Sequence, residues 1–61
     1  MTPADLRDWQ ANMGLTQQGA ADALGVSLPT FKRYLVGQVP KCIALACAAL
    51  AAGLPEWSPK K

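Results

Sequence analysis

The sequence predicts an all-α fold: one compact domain, residues 1–61, of four helices, in which the second and third form a helix-turn-helix. Three observations predict it. Apolar residues recur every three or four positions, as on one face of a helix. Residues that cap helix starts, Thr2, Thr16 and Ser27, precede the first three apolar segments. Glycines follow the segments, and these punctuate the chain where helices end.

The first helix is predicted over residues 3–13. The opening Thr2-Pro3-Ala4-Asp5 has the residue types of a capping box, with proline at the first helical position. Leu6, Trp9 and Met13 then form an apolar stripe, so we expect Trp9 in the core. On the polar side, Arg7 is either a surface charge or a phosphate contact, and we favour a surface charge.

The second and third helices are predicted over residues 17–24 and 28–36, separated by Gly25-Val26-Ser27. Val26 and Phe31 are spaced as a hydrophobic staple across the start of the third helix. A turn this short with glycine at its start holds two helices at a steep angle. The chain therefore has the sequence pattern of a helix-turn-helix.

The fourth helix is predicted over residues 40–52, followed by an irregular tail over 54–61. Beyond Lys41 this helix has no charged residue, and its apolar side chains form two arcs. The first arc should pack on the helix-turn-helix, and comprises Ile43, Ala46, Cys47, Leu50 and Leu54. The second arc, on the other side, comprises Leu45, Ala49 and Ala52. We expect Leu54 and Trp57 to fold back over the core as a lid.

A helix that is apolar all round should be buried all round, and a chain this short needs a second copy to achieve that. We therefore expect a two-fold homodimer through Leu45, Ala49 and Ala52, with Trp57 covering the seam. The alternative is that the tail covers this arc within one monomer.

Composition argues against several classes of protein. The chain lacks histidine, and its acids Asp5, Asp8, Asp22 and Glu56 are dispersed, so we expect no enzyme activity, no metal and no other cofactor. Cys42 and Cys47 do not have metal-site spacing, and we expect both to be small buried thiols in a reducing compartment. No small-molecule ligand is evident.

The longest apolar stretch, residues 42–54, is too short to cross a bilayer, which needs roughly 20 residues. The N-terminus does not resemble a signal peptide. We therefore expect a cytoplasmic protein that has no membrane partner.

The third helix separates its residues into an inward and an outward arc at about 100° per residue. Phe31, Tyr34 and Leu35 face the core, and Leu28 and Thr30 lie at the borders. The outward arc holds Pro29, Lys32, Arg33 and Val36 and no acid. Two cations on the free face of a second helix-turn-helix helix lead us to expect a double-stranded DNA partner.

Residues 15–37 resemble the Cro/C1-type helix-turn-helix family of phage repressors and bacterial regulators. The residues that carry the resemblance are Leu15-Thr16-Gln17, Ala21, Leu24-Gly25-Val26-Ser27, Thr30 and Gly37. It covers the first 40 residues well and the last helix more loosely. The resemblance implies a transcriptional regulator of the repressor type whose third helix reads the major groove.

The resemblance also implies which residues touch DNA. Gln17 would contact a phosphate and brace the reading helix, while Gln38 and Lys41 would face the sugar-phosphate backbone of the DNA. The reading positions would be Ser27, Leu28, Pro29, Thr30, Lys32 and Arg33. Arg33 has the geometry for a bidentate contact to guanine.

The chain departs from the family at a half-buried ion pair. An arginine common in the family is replaced by Gln10, and its glutamate partner by Leu35. Because both charges are missing together, neither is left unpaired, and the fold should survive.

A second interpretation is a protein-interaction or antitoxin-like module on the same scaffold. The apolar residues Leu28, Pro29 and Val36 near the outward face favour it, as does the modest net charge of +2.

Overall fold

A computed structural model describes residues 1–59, and within them it contains four α-helices and no strand. The helices are α1 (Pro3–Asn12), α2 (Gln17–Leu24), α3 (Leu28–Val36) and α4 (Lys41–Ala51). The predicted fold class is confirmed, and every helix boundary lies within one residue of its prediction. Lys60 and Lys61, the end of the predicted tail, lie outside the described residues.

Side-chain caps start the first three helices as predicted. In the capping box of α1, the backbone N–H of Asp5 donates to Thr2 Oγ1 (3.1 Å) and the backbone N–H of Thr2 donates to Asp5 Oδ2 (2.9 Å). Thr16 accepts from the Gly19 N–H at 3.0 Å, and Ser27 accepts from the Thr30 N–H at 3.3 Å. The fourth helix differs, since Pro40 precedes it and provides no side-chain cap.

The turn between α2 and α3 depends on a left-handed glycine. Gly25 has φ of 75°, a left-handed backbone conformation that is energetically unfavourable for residues with a Cβ. This reversal lets the Val26 N–H donate to the Ala21 carbonyl at 3.0 Å, which satisfies a carbonyl at the end of α2. The reversal then allows α3 to start three residues later, at Leu28.

One apolar cluster holds the four helices together. Its buried members are Leu6, Trp9, Ala20, Ala21, Phe31, Leu35, Ile43 and Cys47. Both α3 and α4 pack against α1 and α2. Phe31 is fully buried, and the predicted core position of Trp9 is confirmed. The outward face of α3 is thereby left to solvent.

The two positions of the absent ion pair, Gln10 and Leu35, each take part in a hydrogen bond to a backbone carbonyl. Gln10 Nε2 donates to the Leu15 carbonyl (3.1 Å), while Leu35 lies in the core. Arg7 Nη2 donates to the Leu35 carbonyl at 2.7 Å. Arg7 is exposed, as predicted, and its guanidinium also joins α1 to the last turn of α3.

The expected lid is wrong. Leu54 is 60% exposed and Trp57 is 83% exposed. The core needs no lid, because Leu6 and Phe31 are fully buried without one. Gly53, with φ of 73°, turns the chain so that the tail leaves α4 beside α2.

The expectation of two buried cysteines is half wrong. Cys47 is buried, and that burial raises the pKa of its thiol. Cys42 is exposed. Five residues on a helix turn the side chain by about 140°, so the two thiols cannot share the buried face.

No single helix within residues 1–59 has the length and apolar composition needed to cross a membrane. Taken as a pair, α3 and α4 reach that length and composition, but they are bent by 106° at their junction.

Candidate nucleic-acid interface

The outward face of α3 has the exposure that the helical wheel predicts. Its four residues, Pro29, Lys32, Arg33 and Val36, are all exposed. The border residues Leu28 and Thr30 are half-buried. Of the inward residues, Phe31 and Leu35 are buried and Tyr34 is half-buried. The cations of α3 therefore lie on the side that does not pack.

Three of the predicted reading positions form a hydrogen-bonded row along α3. Ser27 Oγ donates to Thr30 Oγ1 at 2.9 Å, and Arg33 Nη2 donates to the same oxygen at 3.2 Å. Because Thr30 lies one turn before Arg33, this bond draws the guanidinium towards the N-terminal end of α3. The N-terminal end is the part of a helix-turn-helix reading helix that meets base edges.

Lys32 lies beside Arg33 on this face, exposed and without a hydrogen-bond partner in the described part of the chain. The sequence from Ala23 to Pro55 contains no Asp or Glu. The two cations therefore lie within a long stretch of chain that carries no negative side chain.

The other predicted contact positions are exposed but do not join this row. Gln17 is the first residue of α2, and its side chain is exposed. Gln38 and Lys41 are exposed at the start of α4 and line a shallow depression together with the chain's first three residues. The Ile43 N–H donates to the Pro40 carbonyl at 3.0 Å. Because Pro40 gives no side-chain cap, the N–H groups of Lys41 and Cys42 have no partner within residues 1–59.

The second arc of α4 is largely uncovered in the monomer. Leu45 is 62% exposed, Ala52 is exposed and Ala49 is half-buried. Trp57 lies in the tail beside Ala49, where both line one groove. The tail leaves Leu45 exposed, so it does not cover this arc within the chain.

Among residues 1–59, no group of three or more His, Cys, Asp or Glu side chains is placed to hold a metal ion. The pKa of the Asp5 carboxyl group is lowered by the hydrogen bonds that it exchanges with Thr2. That carboxyl group belongs to a helix cap.

Compared with known protein families, curated proteins and solved structures, the chain matches none of them significantly.

Sequence reasoning missed two contacts of the interface region. The bond from Arg7 to Leu35 joins residues 28 positions apart, so no local pattern could indicate it. The bond from Arg33 to Thr30 has a local signal, since residues three apart share a helix face. The spacing of three residues predicts that Thr30 and Arg33 lie close together, but it does not predict whether they form a hydrogen bond.

Proposed function

We propose that the chain binds double-stranded DNA through the outward face of α3 and acts as a transcriptional regulator of the repressor type. The observation that carries this proposal is the pair Lys32 and Arg33, exposed together on the non-packing side of α3. A short helix that follows a tight turn and presents cations outward is the arrangement by which helix-turn-helix proteins enter the major groove.

Each contact position has a chemical role in this proposal. Arg33 donates two hydrogen bonds to guanine O6 and N7, and Lys32 contacts a base or a phosphate. Leu28 and Pro29 lack donors and make apolar contact with a thymine methyl group. Phosphates are held by Gln17 at the start of α2 and by Gln38 and Lys41 beside the uncapped N–H groups of α4.

Dimerisation is the second part of the proposal. A two-fold axis at the Leu45, Ala49 and Ala52 face would place two copies of α3 in successive major grooves, about 34 Å apart. Replacing Leu45 by Glu should leave the fold intact, since the side chain is 62% exposed, and should abolish self-association. Sedimentation equilibrium measures both species, and a wild-type chain that stays monomeric at all concentrations contradicts this part.

A protein-interaction module is the alternative, and a specific observation favours it. Val36 is 82% exposed on the same face as the cations, and Pro29 is exposed two turns earlier on that face. A protein partner would bury these apolar side chains, whereas bound DNA would leave most of their surface exposed to solvent. A stoichiometric protein complex that covers Lys32 and Arg33 would support this alternative.

Selection of bound sites from random duplex DNA tests the proposal. We expect enriched sites arranged as inverted pairs. The Lys32→Ala, Arg33→Ala double variant should lose binding and keep its helical circular dichroism. A charge-matched control replaces Lys60 and Lys61 by Ala, which lowers net charge by the same amount. If the control loses as much affinity as the α3 variant, the assignment to α3 is wrong.

A further inference from the structure

A second surface of the molecule is an open groove between α2, α4 and the tail. Its volume is about 610 Å³, and the half-buried Leu24, Ala46 and Leu50 line it. Two large apolar side chains of the tail, Leu54 and Trp57, also line it while remaining 60% and 83% exposed. Exposed apolar side chains collected at a concave surface are typical of a binding site for another molecule.

Within the described residues, the charged side chains that line this groove are acidic. Asp22 and Glu56, two of the four acids in the chain, line it, and among residues 1–59 no Lys or Arg does. One oxygen of Asp22 accepts a hydrogen bond from Gln18 Nε2 at 2.9 Å, which orients that carboxylate. The groove therefore complements a ligand that is apolar and positively charged.

The exposed indole of Trp57 strengthens this preference. The face of an indole ring attracts ammonium and guanidinium groups, and tryptophan is the best of the aromatic side chains at this. Glu56 is the neighbour of Trp57 in the chain and both line the groove, so a carboxylate and an indole belong to the same surface. A Lys or Arg side chain is the group that both of them bind.

We propose that this groove binds a segment of a partner protein that presents Lys or Arg side chains next to aliphatic ones. A second copy of this chain is a poorer occupant, because facing grooves would bring the Asp22 and Glu56 carboxylates of both copies together. The proposal is independent of DNA binding by α3. It gives Trp57 a role other than covering the dimer seam.

Short blocked peptides are suitable probes of the full chain. Leu-Arg-Leu-Leu-Arg supplies both properties, Leu-Glu-Leu-Leu-Glu reverses the charge, and Ser-Arg-Ser-Ser-Arg removes the apolar part. Binding is followed by the indole N–H signals of Trp57 and Trp9 in ¹⁵N-labelled protein, assigned with Trp57→Phe. We expect the first peptide to shift the Trp57 signal saturably, with Trp9, which is buried, unaffected.

Variants locate the binding site. Glu56→Gln should weaken binding of the first peptide about threefold, the size of an exposed charge contact. Trp57→Ala should weaken it about tenfold, because both the aromatic and the apolar contact are lost. Asp8→Asn is the matched control: this exposed acid of α1 does not line the groove, and its loss should leave binding unchanged.

Four outcomes would overturn the proposal. In the first, the acidic peptide binds as tightly as the cationic one. In the second, no peptide shifts the Trp57 signal. In the third, Asp8→Asn weakens binding as much as Glu56→Gln, so that net charge and not the groove governs affinity. In the fourth, the Trp57 signal moves with protein concentration in the absence of peptide even in the Leu45→Glu variant, so that a second copy occupies the groove independently of the α4 arc.

Discussion

Arg33 is the residue on which DNA reading would depend most. Thr30 orients the guanidinium of Arg33 through a hydrogen bond. A guanidinium that is already held near its binding geometry loses less freedom when it meets a base. Thr30 is half-buried and contributes one oxygen that accepts from both Ser27 and Arg33. This makes Thr30 a positioning residue for the proposed contact.

Thr30→Val removes that oxygen and keeps the shape of the side chain. We expect the preference for the base pair read by Arg33 to fall about fivefold, because the guanidinium is no longer held. Binding to other positions should be unchanged. Thr30→Ser keeps the hydroxyl and should behave as wild type. Competition between selected duplexes measures the preference, and equal behaviour of the Val and Ser variants would contradict the role of the hydroxyl.

The two cysteines should differ in reactivity. Cys42 is exposed, whereas burial both shields Cys47 and raises the pKa of its thiol, which leaves less of the reactive thiolate. We expect iodoacetamide to alkylate Cys42 at least about a hundredfold faster, because Cys47 reacts only when the domain opens. Mass spectrometry of wild type and Cys42→Ser follows each thiol. Rapid labelling of Cys47 in the folded Cys42→Ser variant would show that the core is open.

Residue positions were predicted well where a helix period decided them. The inward and outward residues of α3 follow from their spacing alone, and so do Phe31 in the core and Val36 in solvent. Trp57 was predicted poorly because no period governs an irregular tail. Its large apolar surface predicts a position over the core, but the core residues are already shielded from solvent by other side chains.

At the scale of the element, local capping residues determine where each helix starts, and distant contacts determine how the helices join. The boundaries of α1, α2 and α3 could be predicted because Thr2, Thr16 and Ser27 act on residues three positions away. The contact between α1 and α3 could not be predicted, because it depends on a hydrogen bond from Arg7 to the distant Leu35 carbonyl.

The capping box of α1 should make stability depend on pH. The pKa of Asp5 is lowered in the folded chain, so its contribution is fully present above its unfolded pKa of about 3.9. That contribution is lost as pH falls through the lower folded value. We expect the melting temperature of wild type to exceed that of Asp5→Asn at pH 6, with the gap closing towards pH 2.5.

The partner of Asp5 supplies the control for this effect. In a double-mutant cycle with Thr2→Ala, the coupling between the two residues should be present at pH 6 and absent at pH 2.5. A gap between wild type and Asp5→Asn that is the same at both pH values would contradict the lowered pKa.

Arg7 should stabilise the joint between α1 and α3. Its bond to Leu35 places a cation at the C-terminal end of a helix, which favours both the hydrogen bond and the helix dipole. We expect Arg7→Ala to lower the free energy of unfolding by about 1 kcal/mol, or about 4–8 °C in melting temperature for a domain of this size. Urea unfolding measures it, and an unchanged midpoint would show that the bond contributes nothing.

At the scale of the whole molecule, one small core holds three surfaces in fixed relation. The core residues Leu6, Phe31 and Cys47 are contributed by three different helices and are almost completely buried. Around them lie the cationic face of α3, the apolar arc of α4 and the acidic groove beside the tail. Four helices and their order could be predicted from sequence, whereas the groove could not, because it forms only where α2, α4 and the tail meet.

The separation of charge over these surfaces has a functional consequence. The cations of α3 lie on the non-packing face, while Asp22 and Glu56 line the groove. DNA would be attracted to the first surface and repelled by the second. The proposed DNA partner and the proposed protein segment can therefore bind the same domain without competing for one site.

The affinity for duplex DNA as a function of salt concentration tests the central claim most directly. Each phosphate that the cations neutralise releases counterions, so affinity falls as salt rises. With about six phosphates contacted by a dimer, the logarithm of the association constant should fall with a slope near −5 against the logarithm of salt concentration. Lys32→Ala should make that slope shallower by about two, one unit for each copy. A flat salt response in the wild-type chain would contradict binding through the outward face of α3, and an unchanged slope in the variant would contradict a phosphate contact by Lys32.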